Sequence, residues 1–108
     1  MKLDDVGEII ATRSLSMLHD DRTSSEVLVV LGKPQPLPGL ETDYYCPYQI
    51  RGAGSEKVRH TCGIDAFQAI KLAIRSLGVQ LDLLNKELGG RLRWDGDKDG
   101  QLGFLLPE

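Results

Sequence analysis

Two cysteines and a histidine are the residues whose types could support nucleophilic or metal chemistry. Cys46 lies in one predicted strand, and His60 and Cys62 lie two positions apart in the next. Because alternate residues of a strand face the same side, the three side chains are expected on one side of neighbouring strands. Zinc needs a further ligand that no spacing supplies, and a Cys–His nucleophile needs a cleft and an orienting partner. The pattern therefore favours core positions, with no metal and no cofactor.

Two glycine-containing segments resemble ligand-binding loops in part. Asp95–Gly100 has aspartate at alternate positions and a glycine at the sixth, like the first half of a calcium loop. The twelfth position, which needs a bidentate glutamate, is Leu106, and no helix precedes the loop. Gly52–Gly54 resembles the start of a dinucleotide fingerprint but lacks the third glycine and the following helix. Both segments are predicted to be hairpin turns.

Five cations fall on the polar phase of three predicted strands. They are Arg51, Lys57, Arg59, Arg91 and Arg93. If a helix covers the other side of the sheet, they share one exposed face, which is either a solvated surface or a docking surface for an acidic protein. Binding of nucleic acid is not expected, because the net charge is −3 and only Tyr45 is an obvious stacking aromatic on that side.

These residues are carried by six predicted strands and one helix, in the order β-β-β-β-α-β-β. The segments are 8–18, 26–31, 44–51, 57–62, the helix 65–88, 92–94 and 102–105. In the fourth strand Val58, His60 and Cys62 are expected to face inward. Pro47 favours an edge position or a bulge for the third strand. The stretch 33–40, with three prolines, predicts an extended surface loop.

The helix has the clearest sequence pattern. Asp65 is a good N-cap, Gln68 completes a capping box, and Gly89-Gly90 ends the helix. Gly78 makes a bend or short break plausible in its middle. The apolar stripe consists of Ala66, Ile70, Ala73, Ile74, Leu77, Leu81, Leu84 and Leu88. One helix covers one face of a sheet, so we predict an α+β fold with a mostly antiparallel sheet.

Length and composition are those of one globular domain, assigned to residues 1–108. The chain is 41% hydrophobic and 27% charged, values that disfavour disorder. Its first residues lack the apolar run of a signal peptide, and no segment approaches the roughly 20 apolar residues of a membrane span. A cytoplasmic protein with reduced thiols and no membrane association is therefore expected.

Several short runs between residues 44 and 106 form a recognisable pattern. They are Cys46-Pro47-Tyr48, the run from Cys62 to Ile70, Gly78, the run from Gly90 to Asp97, and Leu102-Gly103-Phe104. In the order and spacing of these runs the chain resembles a family of small uncharacterised bacterial proteins, and the resemblance covers residues 44–106. It implies a stand-alone bacterial domain and assigns no activity and no site residue.

Two classes of function follow from these observations. The sequence contains no Gly-x-Ser-x-Gly, P-loop or His-Glu-x-x-His motif, which lowers the expectation of an enzyme. A protein-interaction module, such as an inhibitor or immunity-type protein, is favoured. The alternative is a small-ligand-binding protein or enzyme with a pocket between the 33–41 loop and the sheet edge near Tyr44, Tyr48, His60 and Trp94.

Overall fold

The computed structural model describes residues 5–39, 43–95 and 102–104. Within these ranges the chain forms one six-stranded antiparallel sheet and one helix packed against it, which confirms the predicted α+β class. The elements are β1 (Ile9–Leu18), β2 (Ser24–Gly32), β3 (Gln35–Pro36), β4 (Tyr44–Arg51), β5 (Arg59–Gly63), α1 (Ala66–Glu87) and β6 (Leu92–Arg93).

The sheet is built mainly from strand pairs that are close in sequence. Its order is β3-β4-β2-β1-β6, and β5 pairs with the other edge of β4. β4 is therefore an interior strand. Of the two predicted positions for Pro47 the edge is wrong, whereas the one-residue shift in register between Tyr45 and Tyr48 agrees with the predicted bulge. The ladder from β4 to β3 ends at Tyr45 and the ladder to β2 begins at Tyr48, so Pro47 lies between the two. A proline is tolerated there because pairing on that side of β4 is already interrupted.

The helix begins and ends where the sequence predicts. The carboxylate of Asp65 accepts from the backbone N–H of Gln68 at 2.7 Å, and the Gln68 side chain accepts from the N–H of Ile64 at 2.7 Å. Gly89 and Gly90 take positive φ angles beyond the last turn. The helix runs through Gly78 without a break, so of the predicted bend or short break the break does not occur.

Gly78 instead allows the C-terminal segment to approach the helix. A Cβ atom at this position would lie 3.0 Å from the carbonyl oxygen of Phe104. Residues 102–104 run against this side of the core without forming a strand. The remainder of the predicted sixth strand, at Leu105, lies outside the described residues.

The core fills the space between α1 and one side of the sheet, called here the helix side. Its fully buried members from the helix are Ala69, Ala73, Leu77 and Leu81. Opposite them lie Leu15, Val27, Val29, Cys46, Tyr48 and Leu92. The predicted apolar stripe is on the side of the helix that faces the sheet, but Ile70 and Ile74 lie at its half-buried margin. Ile9 and Ala11, predicted to face inward, are exposed, and the pairing of β1 with β2 shifts between them.

The facing of β5 is the reverse of the prediction. Arg59 lies directly opposite Tyr48 and Thr61 opposite Cys46, and directly opposed residues of an antiparallel pair point to the same side. The Thr61 hydroxyl donates to the Ala69 carbonyl of the helix at 2.9 Å, which fixes this orientation. His60 and Cys62 therefore point to the other side of the sheet, called here the outer side.

Candidate functional site

A groove of about 360 Å³ separates the second half of α1 from the β4–β5 hairpin. We call it the helix–hairpin groove. It is lined by Tyr48, Gln49, Ile50, Ala53, Gly54, Ser55, Lys57, Arg59, Gln80, Leu83, Leu84 and Glu87.

Apolar side chains form part of the groove lining, beside polar and charged ones. Tyr48 is buried, and Ile50 and Leu84 are half-buried against the core. Leu83 projects from the helix and keeps 56% of its surface exposed. An apolar side chain from a partner would therefore find apolar contacts on both the sheet and the helix.

The rim of the groove is basic on its hairpin side. Lys57 and Arg59 are exposed, and in the described ranges neither forms an ion pair with a carboxylate. Glu87 lines the opposite rim without pairing with either cation. Two cations thus face one carboxylate across an apolar floor, which favours an anionic partner.

The other three predicted binding residues lie elsewhere. Arg51 pairs in register with Leu28 on the outer side and donates to the Gln49 side chain at 2.7 Å. Arg91 forms an ion pair with Asp20 at 2.5 Å. Arg93 lies opposite Ser16 and donates to the carbonyls of Gly90 and Leu92. The five cations therefore do not share one face, because Lys57 and Arg59 point to the helix side.

A second cleft, of about 380 Å³, lies on the outer side beside the proline segment. It is lined by Asp5, Val6, Gly7, Gln35, Pro36, Pro38 and Tyr45. The ring of His60 meets the Tyr45 ring edge-on, with centroids 6.2 Å apart. Tyr45 therefore contacts His60 and also lines the cleft, whereas His60 itself is not among the lining residues. Tyr44 and Tyr48 belong to the helix side, and Trp94 contacts Arg13 on β1.

The predicted grouping of Cys46, His60 and Cys62 on one side is wrong. Cys46 is fully buried on the helix side, whereas His60 and Cys62 are exposed on the outer side. Burial raises the pKa of the Cys46 thiol to about 11. In the described ranges no group of three His, Cys, Asp or Glu side chains is placed to hold a metal ion. Most of the calcium-like segment, from Gly96 to Gly100, lies outside the described residues, and its assignment as a turn stays a prediction.

Sequence reasoning missed the helix contribution to the groove. Leu83 was the available signal, because it is a large apolar residue outside the predicted stripe. Gln80 and Glu87 carry no comparable signal, since polar residues on an exposed helix surface are ordinary.

Fold and groove define a small α+β domain with one helix on an antiparallel sheet and a groove at the helix margin. A family model described as a domain of unknown function (DUF6968) matches residues 11–106, and the chain belongs to this family. No curated protein and no solved structure matches the chain. No helix in the described ranges has the length and apolar character needed to cross a membrane.

Proposed function

We propose that the protein is a non-enzymatic interaction module that binds an acidic segment of a protein partner in the helix–hairpin groove. The observation that carries this proposal is a pair of exposed cations, Lys57 and Arg59, that form no ion pair within the part of the chain that the structure describes. They lie beside the apolar floor formed by Tyr48, Ile50 and Leu84. Charge complementarity selects an acidic partner, and the apolar floor supplies the burial that charge alone does not.

The expected ligand is a short segment that combines an apolar anchor with flanking carboxylates. Its anchor fills the space between Tyr48 and Leu83, and its carboxylates reach Lys57 and Arg59 on the rim. Rim charges act mainly on the association rate, and buried apolar anchors carry most of the affinity. Binding should therefore weaken with salt but persist at high ionic strength.

A labelled peptide of alternating glutamate and leucine is the probe for this site. The Lys57→Glu/Arg59→Glu variant should lose at least about tenfold in affinity, because two attractive contacts become repulsive. Lys33→Glu/Arg22→Glu is the matched control: it makes the same change in net charge at two exposed positions outside the groove. Amide shifts at Ala53, Leu83 and Leu84 should report occupancy. Equal loss in both variants would mean that the peptide responds to overall charge and not to the groove.

The biological role we propose is that of an inhibitor or immunity-type protein of the bacterial cytoplasm, which blocks its partner by docking. What supports it is the small size of the domain and the absence of catalytic motifs from the sequence. In extracts of the native organism, crosslinking should yield a protein that the groove variant loses and the control variant retains. A set of crosslinked proteins identical for both variants would contradict this role.

The second cleft supports a different function, the binding of a small ligand between the proline segment and Tyr45. The observation favouring it is the convergence of Gln35, Tyr45 and His60 on one side of the sheet. Soaking the protein with a library of small polar aromatic compounds should then shift the His60 and Tyr45 ring signals in NMR spectra. If no compound of the library shifts either ring signal, the result would contradict binding of a small ligand in this cleft.

A further inference from the structure

The helix carries a second apolar stripe outside its core-facing stripe, and at Leu83 this second stripe reaches the edge of the helix–hairpin groove. Leu72, Ser76, Val79 and Leu83 follow one another at steps of four, three and four. Val79 is 50% exposed and Leu83 is 56% exposed. Leu72 is half-buried but does not belong to the hydrophobic core cluster. We call these four residues the outer stripe.

The outer stripe is separate from the residues that bind the helix to its own sheet. Those residues are Ala69, Ala73, Leu77 and Leu81, also at steps of four. An ordinary surface helix needs one apolar stripe, and its other side is polar. Alternating steps of three and four are the spacing with which two helices interlock side chains along a shared seam.

We propose that the outer stripe is the interface of a symmetric dimer, in which the helices of two copies pack antiparallel. A two-fold axis that crosses the seam at the level of Leu77 and Gly78 along the helix places Leu72 opposite the partner subunit's Leu83. The same axis places Ser76 opposite the partner subunit's Val79. A large residue thus meets a large one at each end of the seam, and the small Ser76 lets the helices approach at the centre.

Charges beside the stripe select this orientation. Arg75 and Asp82 flank the same edge of the outer stripe, and an antiparallel pairing brings Arg75 near the partner subunit's Asp82 on both sides of the axis. In the described ranges Arg75 forms no ion pair. Asp82 contacts Lys86 at 3.4 Å, with both side chains more than half exposed, so this pair is weak and can be shared. A parallel pairing would instead place the two copies of this edge on opposite sides of the seam, where Arg75 could not reach the partner subunit's Asp82.

The seam is short, which sets the expected affinity. From Leu72 to Leu83 it spans roughly 16 Å at about 1.5 Å per residue. Interfaces of this size belong to the weak and transient class. We expect a dissociation constant of about 10 µM to 1 mM, which corresponds to roughly 4 to 7 kcal/mol.

Sedimentation equilibrium across this concentration range tests the proposal. Arg75→Asp and Asp82→Arg should each weaken the dimer by about fivefold or more, because each places like charges together. The double variant should return to within about threefold of the unaltered protein, because it restores both pairs with exchanged positions. Lys33→Asp is the matched control, since it reverses the charge of an exposed cation outside the helix and should leave dimerisation unchanged.

Val79→Glu provides a second, independent measurement. It should abolish the dimer while leaving the helical circular dichroism signal intact, because Val79 is not a core residue. A protein that stays monomeric at 1 mM, or a dimer that survives Val79→Glu, overturns the inference. Failure here is distinguishable from failure of the groove proposal, because Lys57→Glu/Arg59→Glu leaves the outer stripe unaltered and Val79 does not line the groove.

Discussion

Cys46 lies on the helix side of β4, where its thiol donates to the Gly32 carbonyl at 3.4 Å. Its side chain has no exposed surface. Removal from water disfavours the charged thiolate, and the pKa of Cys46 accordingly rises to about 11 from an ordinary value of 9.0. Cys62, two strand positions from His60, is exposed. The two thiols therefore differ in their access to reagents.

Alkylation should separate the two cysteines. Iodoacetamide at pH 8 should modify Cys62 completely and leave Cys46 unmodified in the native protein, with mass spectrometry of tryptic peptides as the measurement. Both should react in denaturant, which serves as the control. Rapid modification of native Cys46 would mean that β4 opens far more readily than its burial indicates.

The raised pKa of Cys46 also makes stability depend on pH. Above about pH 9 the thiol ionises in the unfolded chain but stays protonated in the native protein up to about pH 11. The native state then binds more protons, so the free energy of unfolding should fall as the pH rises from 9 towards 11. Denaturation midpoints across this range should fall less steeply for Cys46→Ala than for the unaltered protein. Parallel pH profiles for the two proteins would contradict the assignment.

At the scale of the helix, leucine side chains occur in two contrasting environments. Leu77 is 1% exposed in the core, and Leu83 is 56% exposed at the groove margin. Leu77→Ala should lower the free energy of unfolding by about 2–5 kcal/mol, because it leaves a cavity. Leu83→Ala should cost less than about 1 kcal/mol. Urea midpoints at low micromolar protein concentration give the comparison, and equal costs would mean that the helix packs on a different face.

The junction between β5 and α1 depends on Gly63. A Cβ atom there would lie 2.6 Å from the backbone nitrogen of Ala69 and close to Gln68. Backbone atoms inside the first turn of the helix cannot move aside without disturbing its cap. We expect Gly63→Ala to cost about 2–4 kcal/mol by overpacking.

Gly39→Ala is the control for this prediction. Gly39 has a positive φ of 79° with nothing near its missing Cβ, so it should show only the cost of the left-handed conformation, about 1 kcal/mol. Thermal melting of both variants would decide. A smaller loss for Gly63→Ala than for Gly39→Ala would contradict the close contact with the helix.

The elements differ in how far the sequence could determine them. The helix was predictable within one residue at each end, because Asp65, Gln68 and Gly89 act locally on the backbone. The facing of β5 was not, because polar residues stand at both phases of the strand and neither phase is clearly apolar. Its orientation follows from register with Tyr48 and from the Thr61 bond to the helix, which are tertiary contacts. The position of the groove cations was unpredictable for the same reason, because the side of the sheet on which they lie depends on the facing of β5.

For the molecule as a whole, Arg13 connects distant parts of the chain. Its guanidinium lies 3.9 Å from the centroid of a Trp94 ring and 4.6 Å from the Phe104 ring. It also donates to the carbonyl of Leu102 at 3.0 Å. The side chain thus holds the C-terminal segment against β1 through stacking and one charged hydrogen bond.

Arg13→Ala should loosen this connection and expose Trp94, the single tryptophan of the chain. We expect a red shift of the fluorescence emission and a loss of about 1–3 kcal/mol in stability, because cation–π contacts and a charged hydrogen bond are removed together. Arg13→Lys should retain part of both effects, since it keeps the charge but not the planar stack. An unchanged emission maximum in Arg13→Ala would contradict the stacked arrangement.

The sheet closes through β6, and this has a consequence for the order in which the protein assembles. β1–β2 and β4–β5 join segments that are neighbours along the chain. β6, in contrast, lies far along the chain from β1, with which it pairs through Ser16 and Arg93. Contacts between distant segments carry the largest loop-closure cost and tend to form late. The two-residue ladder of β6 should therefore form last during folding. It should also open first in the native protein, so that the amide of Leu92 exchanges with solvent faster than that of Val29.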